Sequence, residues 1–198
     1  MAIAIGLVGE TELAPCKGAG LEVLVHDYAS LSPHDLKDFV FRLRWILIGA
    51  AAFVEIRICQ RAAQPSCQQL SPEMRSVQVR ILRERKVLTN GVRRSALGYS
   101  VAGRQGGRYG VILLDAIKQQ AGVADVPPMM LAAYAAAHEI GHLILGADAH
   151  GPNGLMKGNW DRTDMEAMFE NRVHFSRDQE ARIAQCCGSL MSKNAQNR

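Results

Sequence analysis

The chain has 198 residues, of which 48% are hydrophobic and 21% charged, with a formal charge of +4. These are the proportions of a soluble globular protein of one domain, or one domain with a small second lobe. A chain this long buries a core without a metal or disulfides, so a metal site here is expected to serve chemistry and not folding. The longest apolar run, Trp45–Val54, falls far short of the ~20 residues needed to span a bilayer, which excludes a membrane span.

Residues 1–20 read as an irregular lead-in. Met1–Gly9 is apolar but short and lacks a basic region before it, a poor signal peptide. Leu21–His26 is a strand. Ser32-Pro33 opens a helix, Ser as N-cap and Pro at the first helical position, expected to run to about Ala50. Phe53–Cys59 alternates as a second strand, and the polar segment from Gln64 to Met74, with Pro65 and Pro72, is a loop. Of the five cysteines (Cys16, Cys59, Cys67, Cys186, Cys187), Cys59 and Cys67 flank a short loop. A bridge between them would suit an oxidising compartment. Free thiols fit equally, so the compartment stays open with an extracytoplasmic one slightly favoured.

Val77–Leu82 is a third strand. The arginines Arg75, Arg80, Arg83, Arg85, Arg93, Arg94, Arg104 and Arg108 crowd the middle of the chain. No nucleic-acid motif accompanies them, so they read as a solvated basic face with no nucleic-acid partner. Leu97–Ala102 and Tyr109–Leu114 are two more strands, joined by a turn over Gly103–Gly107. Pro127-Pro128 then opens a long helix to about Leu145, stopped by Gly146. A Gly/Asn/Pro-rich loop continues to Gly158, and two short helices close the chain. The second of these starts at Ser176-Arg177-Asp178-Gln179, a capping-box pattern. The expected organisation is the lead-in 1–20 and a single α/β domain over 21–198 with a mixed sheet, its upper lobe about 21–146 and its lower lobe about 147–198.

The long helix ends in His138-Glu139-Ile140-Gly141-His142. Histidines four apart share one helical face, with Cβ atoms roughly 5–6 Å apart, so both imidazoles can reach one zinc. Glu139 is offset by about 100° and lies beside the metal, where it can take a proton from a metal-bound water as the general base. A catalytic zinc needs a third protein ligand and an open position. After Gly146 the candidates are His150 and Asp148, with His150 preferred because neutral imidazole is a common zinc ligand. Tyr134, one turn before His138, reads as core packing and Trp160 as packing near the lower lobe. His26, His34 and His174 have no ligand spacing.

His138 through Met156 resembles the metzincin metallopeptidases, which carry HExxHxxGxxH and then a methionine turn. It is closer still to a group of uncharacterised bacterial proteins with a run like HEIGHLLLG…H…GLM…W, here ending at Trp160. The resemblance covers most of residues 21–160. It implies a mostly parallel sheet with an antiparallel edge strand, an active-site helix and a small C-terminal helical lobe. It also implies a zinc endopeptidase, with Met156 as an apolar floor and a peptide or protein substrate lying along Leu97, Gly98, Tyr99, Ser100 and Val101. The spacing departs from the metzincin pattern: Leu145 and Asp148 stand where the glycine and third ligand would fall, with Gly146 one residue late and His150 two.

Two other readings compete. In one, Glu166, 24 residues after His142 on a plausible helix, is the third ligand as in gluzincins; Glu170 is also placed for this. In the other, the zinc belongs to a non-hydrolytic binding or regulatory protein, which leaves Glu139 without a purpose. Cys16 could in principle cap a zinc from upstream. Nothing in the sequence speaks to oligomeric state.

Overall fold

In the computed structural model, residues 20–59, 67, 69–83, 96–103 and 106–187 are described. The lead-in before Gly20, Cys16 within it, and Arg85, Arg93, Arg94 and Arg104 lie outside the described residues. Strand β1 (Leu21–Asp27) is the run LEVLVHD, whose apolar members suit a strand buried on both faces. It pairs in parallel with β2 (Val54–Cys59) on one side and β3 (Arg75–Leu82) on the other. β5 (Gly106–Leu113) continues the parallel set beside β3, and β4 (Gly98–Gly103) closes it as an antiparallel edge. The order is β2-β1-β3-β5-β4. This is the expected mixed, mostly parallel sheet with its antiparallel edge strand.

Helix α1 (Pro33–Ile48) starts as expected: Ser32 accepts from Asp35 N, and Pro33 occupies the first turn. It stops at Gly49, slightly before the expected Ala50. Its buried face is Phe39, Leu43, Ile46 and Leu47. Two expectations need correction between β4 and the long helix. Gly106 and Gly107 belong to β5 and not to the turn. Leu114, expected to end that strand, instead begins helix α2 (Leu114–Ala124). No capping side chain marks its start, since Leu113 stands at the N-cap, so the apolar run hides the boundary. Its buried Leu114, Ile117, Ala121 and Ala124 nevertheless keep helical spacing.

Helix α3 (Pro128–Leu145) is the centre of the molecule, buried at every residue from Met129 to Leu145. A helix apolar all round must be covered all round. α1, α2, β4 and β5 cover it, together with α4 (Arg162–Phe169) and α5 (Arg177–Cys187) of the C-terminal part. Gly146 ends it at φ 100° and ψ 170°, a conformation open in practice to glycine alone. Asp161 and Asp164 form a capping box at α4. At α5, Gln179 N donates to Ser176 Oγ while Ser176 N donates to Gln179 Oε1, the expected box. Cys59 and Cys67 are joined by a disulfide, and Cys187 is a buried free thiol. No helix of the described residues is long and apolar enough to cross a membrane.

α3 lies unusually close to the sheet because the sheet is bare beneath it. A Cβ at Gly110 would sit 2.9 Å from Glu139 Cβ, and one at Gly98 would sit 2.6 Å from Val111 O and 3.2 Å from Glu139 Cγ. Glycine inside a strand marks such close approach. Replacing Gly110 by alanine is therefore expected to push α3 off the sheet and lower stability by about 1–3 kcal/mol, read from the urea midpoint. Gly122, exposed on α2 with no atom within 4 Å of a built Cβ, is the control. Its replacement by alanine should be neutral or stabilising by up to about 1 kcal/mol.

Candidate metal centre

The last two turns of α3 place His138, Glu139 and His142 at the junction of sheet, helix and following loop, all three buried. Each helical histidine is held from behind by a backbone carbonyl. His138 Nδ1 lies 2.8 Å from Leu155 O, and His142 Nδ1 lies 3.2 Å from Gly146 O. A carbonyl only accepts, so in the neutral ring each Nδ1 carries the proton and each Nε2 is left with a lone pair. Burial is the main cause that lowers His138 to about 3 and His142 to about 4, so both stay neutral throughout the physiological range.

His150 arrives from the loop after the Gly146 stop. Its Nε2 is 3.0 Å from His142 Nε2 and 3.3 Å from His138 Nε2, and the two helical Nε2 atoms are 3.2 Å apart. Two of these three nitrogens have no proton to offer, so hydrogen bonding cannot account for all three contacts together. Ligand geometry can: three corners of a tetrahedron with bonds of 2.0–2.1 Å are separated by about 3.3 Å. These three histidines form the cluster able to hold a metal ion among the described residues. The donor set and its spacing therefore fit zinc, with one tetrahedral position left open.

The supports of this triangle come from distant parts of the chain. Buried Gln179 on α5 donates from Nε2 to Ala149 O at 3.0 Å, fixing the backbone next to His150. Met156 is fully buried against α3, where a Cβ on Gly141 would come within 2.4 Å of its Sδ. The glycine inside the histidine motif is thus what admits Met156. The preceding residue, Leu155, supplies the carbonyl that holds His138. Trp160 does more than pack in the lower lobe: its ring stands edge-on to His138 at 5.3 Å between centroids.

Glu139 points from the helix toward Gly98 and Gly110. Burial pushes its carboxyl up to about 8, with the Ser100 hydroxyl drawing it partly back. The Ser100 Oγ and Glu139 Oε2 are both buried without a hydrogen-bond partner, so the two do not reach good bonding geometry. His138, Glu139, Leu97, Gly98, Gln120 and Trp160 line one cavity of about 200 Å³, together with Lys157 and Met165. Of the expected edge residues, Gly98 at the start of β4 and Leu97 just before it line this cavity, while Tyr99, Ser100 and Val101 continue along β4.

The other sequence candidates lie apart. Asp148 is exposed and acts on His142 only as a nearby charge that raises its pKa. Glu166 is half exposed and bound to Arg162 at 3.0 Å, and Glu170 pairs with Arg172. Tyr134 donates to Met168 O, a packing role as expected. Sequence reading placed Gln179 only in a capping box and Ser100 only on the edge strand, and it missed the cavity-facing Gln120. None carries a local signal of its place at the site, because each acts through a residue at least thirty positions away or on another element. Trp160 was legible only as a large aromatic close after the motif.

The fold resembles that of archaemetzincin from Methanopyrus kandleri, with a TM-score of 0.56 at 15% identity over 88% of this chain and 98% of that one. Metalloproteinase-II from Bacteroides fragilis aligns with a TM-score of 0.48 at 14% identity over 90% of this chain and 56% of that one. No family model and no curated protein matches by sequence. The chain thus shares the archaemetzincin fold.

The triangle makes a sharp prediction about the third corner. The purified chain should carry about one zinc by elemental analysis. His150→Ala should lower zinc affinity by at least about tenfold, while Asp148→Ala and Glu166→Ala leave it within about twofold. The reverse order would move the third corner to one of those carboxylates.

Proposed function

We propose that the chain is a zinc-dependent peptidase that cleaves within peptide chains, with His138, His142 and His150 holding the metal and Glu139 as general base. The observation that carries this reading is the triangle of Nε2 atoms 3.0–3.3 Å apart beside a buried carboxyl. A fold shared with archaemetzincin supports it. Asp148 is the alternative third ligand, disfavoured because it lies outside the cluster that His150 completes. The chain is read as one domain, with the cleft between an upper lobe of about 21–146 and a lower lobe of about 147–198.

Zinc bound here would lower the pKa of a coordinated water toward ~7 and polarise the carbonyl under attack. The remaining work belongs to the chain. Glu139 accepts a proton from the attacking water and returns it to the leaving nitrogen. Its burial raises the basicity of the carboxylate, and a dication at the neighbouring nitrogens would favour the ionised form the base needs. Met156 keeps the underside of the site dry, and Trp160 restricts movement of the His138 ring.

The substrate lies along the outer edge of β4, which among the described residues pairs only with β5. Backbone groups of Leu97, Gly98, Tyr99, Ser100 and Val101 take an extended peptide as an added strand, and alternate side chains fall into pockets. The cavity beside Glu139 is one such pocket.

Glu139→Gln is isosteric and should keep its zinc but lose cleavage of a peptide library by about 10²–10⁴-fold in kcat/KM. Equal cleavage by this variant and the parent would remove Glu139 as the base. Loss of zinc together with activity would show instead that the carboxylate serves the fold of the site.

A further inference from the structure

The two faces of the sheet are chemically different. Strand alternation sends Val23, Val25, Val77, Val79, Gly110 and Ile112 toward the helices and the metal centre. The opposite face carries another row. His26 pairs in register with Arg80, Arg80 with Val111, and Val111 with Tyr99. In the next row Tyr109 lies beneath the Arg80 guanidinium, whose carbon is 4.5 Å from the ring centroid. Tyr28 stacks on His26 with 6.1 Å between centroids and 9° between planes.

Two buried nitrogens of this cluster, Arg80 Nε and His26 Nε2, are left without a hydrogen-bond partner. Among the described residues Arg80 also has no carboxylate partner. The acids that β1 carries are engaged elsewhere: Glu22 with Arg57 and Ser76, and Asp27 with Ala29 N and Leu31 N. Buried polar groups in native proteins find partners, and a neighbouring pair that does not points to an ion or water at the spot. An unpaired guanidinium stacked on a tyrosine is also a common anion receptor, since its fork matches planar oxyanions.

The location agrees. The chain runs from β1 outward to β2, then returns across β1 to β3, so the sheet changes direction between β1 and β3. Ligands of open α/β sheets gather at the carboxyl ends of the strands at such a switch point. His26 and Arg80 are the register pair near the carboxyl ends of those two strands.

We infer that His26, Arg80, Tyr99 and Tyr109 form an oxyanion-binding site on the sheet face opposite the metal centre, taking a phosphate or carboxylate group. Arg80 supplies the charge and a two-pronged donor, neutral His26 donates one N–H, and the tyrosines close the side walls. Burial, then Arg80 itself, holds His26 below the ordinary histidine range, so it does not compete as a second cation. Burial also holds the Tyr99 phenol protonated and able to donate.

The test is local and separable from peptidase activity. The full chain is titrated with inorganic phosphate and, separately, with a triglutamate peptide, while the His26 ring-proton resonances are followed by NMR. A saturable shift with either probe is expected. It should weaken at least about tenfold in Arg80→Met and survive unchanged in His138→Ala, which disables only the metal centre. Arg80→Lys, which retains the charge but not the fork, should fall between the parent and Arg80→Met and guards against a folding artefact. Saturation by phosphate alone assigns the site to phosphate, and saturation by the peptide alone assigns it to acidic side chains. Absence of saturation with both probes, or shifts that persist in Arg80→Met, would overturn the inference.

Discussion

The close contact between α3 and the β4–β5 pair governs the rest of the molecule. Gly98, Gly107 and Gly110 offer no side chain to the helix where it crosses them, so Glu139 and Leu143 rest almost on strand backbone there. The helix itself is built to be enclosed, with alanine at 132, 133, 135, 136 and 137. This closeness takes Glu139 out of water and fixes where the histidines end. It also brings the edge strand level with the buried Glu139 carboxyl. Cations help hold the arrangement at its far end, where Arg75 and Arg182 donate to the carbonyls of Leu143 and Leu145 that the helix leaves unpaired.

Enclosure has an electrostatic consequence. Two imidazoles and a carboxyl sit in low dielectric, where an unsatisfied polar group costs about 1–3 kcal/mol. The protein satisfies the outer nitrogens of the imidazoles with carbonyls and leaves the inner ones facing each other and His150. Such a convergence of lone pairs is unfavourable until a cation occupies its centre. The carbonyls that remove the outer nitrogens from play also fix the tautomer, which is how the hydrogen bonds behind a ligand tune the metal.

How far this was legible depends on distance along the chain. The His138–Glu139–His142 core needs only helical periodicity, and Pro127-Pro128 and Gly146 mark the helix ends, so both could be read directly. The five strands and a mixed sheet also follow from local patterns, whereas the mostly parallel order came from the metzincin resemblance. α2 was hidden because its first turn continues an apolar strand without a cap. The choice between Asp148 and His150 could not be made locally. The path of that loop depends on the glycine conformation at 146 and on Gln179, thirty residues on, gripping Ala149. The glycines at 106 and 107 read as a turn because a strand glycine and a turn glycine look alike until the helix that needs the space is known.

β4 belongs to both faces of the sheet. Its alternation turns Ser100 toward Glu139 and Tyr99 toward the Arg80 side, one residue apart on a strand whose outer edge has no partner among the described residues. A peptide added to that edge would stiffen the strand through its backbone alone, without touching either side chain. Tyr99 and Ser100 cannot shift independently, because a change of register would reverse both. An anion gripped on the Arg80 face and a peptide bound at the edge would therefore act on the same six residues, Gly98–Gly103. Any coupling between the two sites would pass through the position of β4 relative to Glu139, and by linkage it would be reciprocal: whatever the anion does to peptide affinity, the peptide does to anion affinity.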